Sequence, residues 1–282
     1  MSTPTAHRAS APATRAFDRL ASEYDALAAG EIFQILRRRT HAAFARRLSA
    51  KTRLLEIGCG TGLDTAFLAR HVRHVVACDP SEEMVSRSLR RLSREGLEDR
   101  ATVLPCGLQD LASFLDALAA PGGFDGIVSN FGALNCVEHL APLGALARQH
   151  LRADGVMILC LMGRSCAIET LYLTATGRGH LASRRRGPGA VAVNVAGVSV
   201  PTFYHRIADV RAALGSDLSL QAIEGIGVAI PPPYFEPRWQ QLPTSVRALV
   251  TGLDAMLAPW PPFNRVGDHV LLHFIKRGHG HA

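Results

Sequence analysis

Lysine and long apolar runs are both scarce in this chain of 282 residues. Only Lys51 and Lys276 stand among its 31 basic residues, and the others are arginines. The longest unbroken apolar run, Val156 to Met162, is far shorter than the roughly 18 residues that a membrane-spanning helix needs. No apolar segment near the N-terminus has the pattern of a secretory signal. With 48% hydrophobic and 20% charged residues the chain can bury a core, which excludes wholesale disorder and fibrous classes. We therefore expect a soluble cytoplasmic protein without a membrane partner.

The formal net charge of +7 is compatible with a nucleic-acid partner, and the distribution of the basic residues tests this possibility. The arginine clusters, such as Arg37 to Arg39 and Arg184 to Arg186, are short. No basic stripe interleaves with aromatic residues, which make up only 6% of the chain. This pattern favours scattered, solvated arginines over a nucleic-acid footprint.

Cysteine occurs six times, at positions 59, 78, 106, 136, 160 and 166, but never as a C-x-x-C pair. No cysteine–histidine or carboxylate–histidine group has the spacing of a metal site. The terminal pair His279 and His281 is interpreted as a disordered end. We predict reduced thiols in a reducing compartment, and no metal.

The first 50 residues divide into a tail and a helical segment. Residues 1–14 lack periodicity and are interpreted as a disordered tail. In residues 15–50 the apolar Phe33, Leu36, Phe44 and Leu48 share an arc of about 120°, and arginines occupy the rest of the helix surface. We predict a helical lid with a solvated basic face.

Strands and helices alternate between residues 51 and 163, which predicts βαβ units and a parallel sheet covered on both faces. Residues 164–204 break this rhythm with a helix, an Arg/Gly-rich loop and two strands around Ala196-Gly197, where glycine suits a tight hairpin turn. We interpret this block as a substrate-cap insertion. Residues 205–282 complete the core sheet, so the predicted class is an α/β, doubly wound, seven-stranded and mostly parallel sheet. The five strands predicted in the first part are Leu54–Ile57, His74–Cys78, Ala101–Leu104, Gly126–Ser129 and Gly155–Leu161.

The segment LLEIGCGTG, Leu54 to Gly62, carries the clearest chemical signal. It runs from a strand through glycines at 58, 60 and 62 into a helix. Glycine tolerates φ > 0 and lets a ligand approach the backbone, and the helix start offers free N–H groups. The G-x-G-x-G spacing differs from the G-x-G-x-x-G fingerprint of dinucleotide sites, which weakens a pyrophosphate interpretation.

An acidic residue follows at the end of the next strand. Asp79 lies 21 residues after Gly58, where a carboxylate accepts hydrogen bonds from both ribose hydroxyls. The alternative role for Asp79 is a cap for the helix that Ser81 begins. We favour ribose binding.

These motifs together resemble those of the class I S-adenosylmethionine-dependent methyltransferases. LLEIGCGTG followed by VVACDPS is similar to the family's first motif and its acidic partner. FDGIVSNFGALNCV and LRADGVMILCLMG resemble its fourth- and fifth-strand motifs, and HVLLHF its last, antiparallel strand. FDRLASEYD, Phe17 to Asp25, looks like the opening helix of many small-molecule methyltransferases, which closes over the cofactor. The resemblance implies a Rossmann-like methyltransferase fold with S-adenosylmethionine as cofactor and S-adenosylhomocysteine as product.

The resemblance also implies cofactor contacts at matching positions. At the methionine end these are Tyr24, Glu56, Gly58, Cys59, Gly60 and Gly62; at the ribose, Asp79; at the adenine, Pro80, Met84, Gly107 and Leu108; and beside the sulfonium, Asn130 and Phe131. Gly107 stands where relatives often carry a carboxylate for the adenine amino group, so only backbone groups remain for that contact.

Methyl transfer from a sulfonium is an in-line displacement that depends mainly on alignment, and a base is needed only if the acceptor must lose a proton. We expect transfer to an O or N atom of a small-molecule acceptor, secondary metabolites included. His139 and Tyr24 are the candidate catalytic residues, and ordinary capping or packing is the alternative for each. The candidate substrate contacts are Tyr24, His139, Tyr204, His205 and Tyr234.

Two other functions stay open at this point. The basic balance allows an RNA or other nucleic-acid methyltransferase, although SNFG at 129–132 differs from the N/D-P-P-Y/F sequence of enzymes that methylate base amino groups. The altered Gly107 position allows a methyltransferase-like scaffold that binds partners without turnover.

Overall fold

The computed structural model describes residues 12–118 and 123–278. The predicted tail up to residue 11 and the terminal histidine pair lie outside these residues. The helices are α1 Pro12–Leu20, α2 Tyr24–Ala28, α3 Glu31–Ala45, α4 Leu63–His71, α5 Glu82–Arg94, α6 Leu111–Ala117, α7 Ala141–His150, α8 Ala167–Ala175, α9 Ile207–Leu214, α10 Glu236–Trp239 and α11 Thr244–Leu257. The strands are β1 Arg53–Ile57, β2 His74–Cys78, β3 Ala101–Leu104, β4 Phe124–Ser129, β5 Leu151–Met162, β6 Ala190–Val195, β7 Val198–Phe203, β8 Leu218–Ile226 and β9 His269–Lys276.

Seven strands form one sheet in the order β3-β2-β1-β4-β5-β9-β8. The pairs from β3 to β5 are parallel, and β9 runs antiparallel to both β5 and β8. This confirms the predicted doubly wound and mostly parallel sheet. The strand order reverses between β1 and β4, and in such sheets ligands bind beyond the carboxyl ends of the strands at that point.

Both faces of the sheet are covered, which explains why the strand interiors are mostly apolar, with Leu54 and Leu55 in β1 and Val75 to Cys78 in β2. Leu55, Ile127 and Leu272 belong to the core on one face, together with residues of α6, α7 and α9. Leu54 and Val128 belong to the core on the other face, with residues of α3, α4 and α10.

The N-terminal segment is helical, as predicted, but it starts earlier and is broken. α1 begins at Pro12, so the last three residues of the predicted tail are helical, and α1, α2 and α3 replace one continuous helix. The basic face of α3 is also not uniformly solvated, because Arg37 is only 6% exposed. A buried guanidinium on this helix indicates a functional or structural role for its charge.

The inserted block forms the predicted hairpin. β6 and β7 pair as a separate two-stranded sheet, and the turn residues Ala196 and Gly197 both have positive φ. Val200 of β7 packs with Ala16 and Leu20 of α1 in a small apolar cluster. The insertion and the N-terminal helices therefore contact each other.

Candidate active site

The glycine-rich turn after β1 has the backbone that its sequence predicts. Gly58, Gly60 and Gly62 have φ of 79°, 53° and 81°, a region that side-chain-bearing residues rarely adopt. A Cβ added at Gly58 would lie 2.2 Å from the Cβ of Ala133, so that position also needs glycine for packing. A Cβ at Gly60 would meet no atom within 4 Å, so Gly60 borders open space that a ligand can enter.

Asp79, at the end of β2, joins the turn to α5. Its Oδ2 accepts a hydrogen bond from Gly60 N at 2.9 Å, and its Oδ1 accepts one from Ser81 N at 3.0 Å. Burial raises the pKa of Asp79 to about 6, although these two N–H groups act to lower it. At neutral pH the group is therefore a carboxylate with lone pairs left for further donors.

The segments assigned to the adenine meet beside Asp79. Ser81 caps α5 as predicted, since its Oγ accepts from Met84 N at 3.2 Å. A Cβ added at Gly107 would lie 3.6 Å from the Cβ of Pro80. Met84 and Leu108 are buried, so an apolar wall lines this side.

A buried polar cluster lies between α3, α4 and the end of β4. Asp64 accepts from Asn130 Nδ2 at 3.1 Å and contacts His41 Nε2 at 2.6 Å. Asn130 Nδ2 also donates to Thr40 at 3.1 Å, and Arg37 Nε lies 3.7 Å from Asp64. Helix α3 is thereby tied to the sheet edge where the cofactor is expected.

Several atoms in and beside this cluster form no hydrogen bond with the described residues. Among them are the acceptor oxygens Glu56 Oε2 and Asn130 Oδ1 and the donor nitrogens Nε and Nη1 of Arg37. A buried polar atom without a hydrogen bond costs free energy, so such a group indicates a missing ligand or water. These atoms therefore comprise two acceptor oxygens and two nitrogens of a positively charged guanidinium.

Burial raises the pKa of Glu56 to about 8, with Asp64 adding to the effect and Arg37 opposing it. Asp64 behaves oppositely: burial acts to raise its pKa, but Arg37 and His41 outweigh burial and hold it below its usual range. In the protein alone, Glu56 is thus mostly neutral at pH 7, whereas Asp64 is ionised.

The N-terminal helices contact the segments that follow β1 and β2 through carboxylates that the sequence analysis did not single out. Asp18 accepts from the Ser81 hydroxyl at 2.5 Å. Asp25 accepts from Thr61 at 2.6 Å and from Arg91 Nη2 at 2.6 Å. Both are the aspartates of FDRLASEYD, so the motif itself was the available signal.

Tyr24, next to Asp25, is half-buried in the same place. Its pKa is raised to about 12, chiefly by burial; Arg37 opposes this, while Asp64 and Asp79 add to it. The Tyr24 hydroxyl is therefore neutral and lies within electrostatic reach of the charged groups of the site.

Aromatic rings continue the site beyond Asn130. Phe131 has φ 44°, and its ring centroid lies 4.7 Å from that of Phe33 on α3. The Arg37 guanidinium lies 5.0 Å from the Phe33 ring centroid and 5.2 Å from that of Phe131. The ring of His269, which the sequence analysis also missed, meets Phe131 edge-on at 5.4 Å.

The proposed acceptor contacts other than Tyr24 lie in different surroundings. His205 Nε2 donates to the carbonyls of Val137 at 2.9 Å and Leu134 at 3.3 Å, which gives it a backbone-holding role. The exposed Tyr234 donates to Glu169 at 2.7 Å. His139 is exposed and precedes α7, which begins at Ala141.

Tyr204 packs on an ion network that the sequence did not predict. Arg185, in the Arg/Gly-rich loop, is 3% exposed rather than solvated, and its Cζ lies 5.5 Å from the Tyr204 ring centroid. It pairs with Glu169 at 2.6 Å and with Asp268 at 2.8 Å. The loop is therefore fixed to the core by charge.

Comparison with known proteins identifies a domain within the chain. Residues 54–155 match the methyltransferase domain family. The chain contains a class I S-adenosylmethionine-dependent methyltransferase domain, and S-adenosylmethionine is its cofactor. In the described parts of the chain no helix is long and apolar enough to cross a membrane, and no three His, Cys, Asp or Glu residues come together as a metal site.

The chain is 34% identical over 111 residues to demethylmenaquinone methyltransferase of Clavibacter sepedonicus, a match of 39% of this chain and 41% of that protein. It is 32% identical over 66 residues to tRNA 5-carboxymethoxyuridine methyltransferase of Escherichia coli (strain K12), covering 23% of this chain and 25% of that protein. The chain thus spans less than half the length of these curated relatives.

Among solved structures, geranyl diphosphate C-methyltransferase from Streptomyces coelicolor A3(2), in complex with Mg²⁺, geranyl diphosphate and S-adenosyl-L-homocysteine, has a similar fold. Its TM-score is 0.52 at 14% identity, over 85% of this chain and 77% of that one. This likeness confirms the fold.

Proposed function

We propose that the protein transfers the methyl group of S-adenosylmethionine to an O or N atom of a small-molecule acceptor and releases S-adenosylhomocysteine. The observation that carries this proposal is the unpartnered set in the polar cluster. A methionine moiety carries an α-ammonium and an α-carboxylate. Glu56 Oε2 and Asn130 Oδ1 are acceptors for the first, and the Arg37 nitrogens are donors for the second.

The remaining cofactor contacts follow the chain around the sheet edge. Gly60 provides the close approach, Asp79 accepts from the ribose hydroxyls, and Pro80 and Met84 border the adenine. Tyr24 covers the methionine end.

S-adenosylmethionine supplies a methyl group on a sulfonium whose leaving group departs neutral. The chain's own contribution is alignment, which accounts for about 7–11 kcal/mol of a barrier when the reacting atoms are held at about 3–3.5 Å. Arg37, Glu56 and Asn130 would fix one end of the donor, and the rings of Phe33 and Phe131, which pack against each other at 4.7 Å, would border the acceptor. An aromatic wall of this kind favours an acceptor with a flat ring.

The likeness to a tRNA methyltransferase keeps a nucleic-acid acceptor as the second candidate. Two arginines of the clusters that suggested it, Arg37 and Arg185, are buried and do not add to a phosphate-binding surface. A steep loss of tRNA affinity with added salt, with methyl transfer to the tRNA, would favour this candidate. A cytoplasmic location and a small-molecule partner are part of the first proposal. A catalytic role is preferred to that of a non-catalytic scaffold, because Asp79 and the glycine turn are intact.

The first test is calorimetric titration with S-adenosylmethionine. Because the α-ammonium favours the Glu56 carboxylate, binding should lower the pKa of Glu56 from about 8 and release close to one proton at pH 7. Titrations in two buffers of different ionisation enthalpy measure this release. Glu56→Gln should abolish the proton release and weaken binding by roughly tenfold or more.

The stability of unliganded Glu56→Gln, measured as a function of pH, provides the control for this variant. A carboxyl group with a raised folded-state pKa makes the protein less stable as pH rises from about 4.5 to 8, so unliganded Glu56→Gln should be more stable than the wild type at pH 9, by roughly 1–3 kcal/mol. Glu98→Gln, at an exposed glutamate, should change neither property. Binding without proton release would contradict the placement of the ammonium at Glu56.

We also propose that residues 15–50 act as a lid and that the 164–204 insertion caps the acceptor space. The contacts of Asp18 and Asp25 with the cofactor loops support this role. In hydrogen exchange, S-adenosylhomocysteine should protect Phe17 to Ala29 together with the turn at Gly58. Asp25→Asn should reduce the protection of the helices but not that of the turn. Protection confined to the turn would mean that these helices are no lid.

A further inference from the structure

His269 is a buried histidine at the edge of the sheet where the site lies. It is the first residue of β9, and because β9 runs antiparallel to β5, it pairs with Met162 at the carboxyl end of β5. Its Nδ1 lies 3.2 Å from Oδ2 of Asp268, and the two side chains are 8% and 3% exposed.

Asp268 is itself held in place from two sides. Arg185 Nη2 donates to Oδ1 of Asp268 at 2.8 Å, and Arg185 is fixed in turn by Glu169. Gly163 N donates to the Asp268 carbonyl at 2.8 Å. Burial acts to raise the pKa of Asp268, but Arg185 and His269 outweigh burial and hold it well below its usual range. The carboxylate beside His269 is therefore permanent and fixed.

The ring of His269 also contacts the residue that follows Asn130. Its ring meets Phe131 at 5.4 Å, and Phe131 follows Asn130 of the polar cluster directly. No hydrogen bond joins Nδ1 of His269 to Asp268, so their contact is electrostatic, and among the described residues Nε2 forms no hydrogen bond either. A histidine with Nδ1 beside a fixed carboxylate and Nε2 unused has the arrangement of a general base.

We propose that His269 is the general base that accepts the proton of an aromatic hydroxyl on the acceptor, and that Asp268 and Arg185 are its positioning residues. This rests on the proposed methyl transfer. The acceptor O–H bond breaks and its proton moves to Nε2 of His269. The oxygen lone pair forms the new bond to the methyl carbon, and the electron pair of the breaking S–CH₃ bond stays on sulfur as a neutral thioether. Asp268 stabilises the imidazolium that results.

Two aryl alcohols of different acidity distinguish a role of His269 in removing the acceptor proton from a role in binding the acceptor. 2-Naphthol carries its proton at neutral pH, whereas pentafluorophenol is already ionised. His269→Gln should lower the rate of methyl transfer to 2-naphthol by about 100-fold or more, since general bases contribute on that scale. Transfer to pentafluorophenol should fall by less than about threefold, because no proton has to be removed.

A binding measurement without turnover completes the test. In the complex with S-adenosylhomocysteine, bound 4-nitrophenol should absorb mainly as its phenolate in the wild type, and His269→Gln should shift the bound probe toward the neutral phenol. His273→Gln is the matched control, because His273 lies on the same strand, is buried and has its own carboxylate, Glu224, at 2.9 Å. It should leave both readouts unchanged.

The pH profile tests the positioning role. The charged and titratable groups around His269 are Asp268, Arg185 and Glu169, with Arg37 and Tyr204 further along the same contacts. Asp268→Asn removes the charge that favours the imidazolium, so the ascending limb of the rate with 2-naphthol should move to lower pH and its plateau should fall.

Equal losses for 2-naphthol and pentafluorophenol in His269→Gln would overturn the base assignment, and so would an unchanged spectrum of bound 4-nitrophenol. Absence of wild-type transfer to 2-naphthol would overturn the aromatic-hydroxyl acceptor. None of these three results concerns S-adenosylmethionine binding by the wild type. Absence of that binding would instead contradict the proposed function itself.

Discussion

Asp79→Ala should weaken S-adenosylmethionine binding by ten- to more than a hundredfold. The substitution removes the acceptor of both ribose hydrogen bonds, which are worth about 1.5–3 kcal/mol when the acceptor is charged. It also leaves the N–H groups of Gly60 and Ser81 without their acceptor, so the turn itself loses support. Calorimetry gives the dissociation constant.

The pH dependence of cofactor affinity tests whether Asp79 is the group that binds the ribose. Burial places the pKa of Asp79 near 6, and a bound ribose favours the carboxylate, so wild-type affinity should be full above pH 6 and decrease as the pH falls below it. Asp79→Ala should lack this decrease. Asp79→Asn keeps one acceptor oxygen and should lose less affinity. An unchanged dissociation constant in Asp79→Ala would show that the ribose lies elsewhere.

Arg37→Met should cause the second large loss of cofactor affinity. The guanidinium is buried, and two of its nitrogens form no hydrogen bond in the described chain, although Nε lies 3.7 Å from Asp64. We therefore expect its cation to bind the cofactor carboxylate. Methionine retains the apolar stem against Phe33 and Phe131 but removes the charge. We expect a weakening of at least tenfold, equivalent to about 1.5–3 kcal/mol.

Arg38→Met is the matched control, because Arg38 is the next residue of α3 and is exposed. It should bind S-adenosylmethionine as the wild type does. Arg37→Lys keeps a charge but not the planar fork and should be intermediate. If Arg37→Met bound S-adenosylmethionine normally but lost affinity for the acceptor, the guanidinium would belong to the acceptor site.

Several features in and around the candidate site could be predicted from the sequence, because each is formed by residues that are close together in the chain. The glycine turn follows from three glycines within five residues, and the Ser81 cap follows from its place before an apolar helix face. The hairpin followed from alternation on either side of a single Ala-Gly pair. Each of these features depends on residues close together in the chain.

The misjudged residues are those whose neighbours are distant in sequence. Arg37 and Arg185 stand in arginine clusters that are typical of a solvated surface, yet both are buried. Asp268, one of the two carboxylates that pair with Arg185, is 83 residues away, and the Asn130 amide bonds to Thr40 across 90 residues. Periodicity contains no information on such pairs.

The sequence by itself determined the alternating α/β architecture, the glycine turn and Asp79 at the end of β2, because backbone preference and burial pattern act over a few residues. Only the tertiary structure decided which charges meet: it brought Arg37, Glu56 and Asn130 together, and it placed His269 and Asp268 beside Phe131. Buried charge is tolerated only where the fold supplies a partner or leaves room for a ligand, and that depends on how helices and strands pack across the sheet edge.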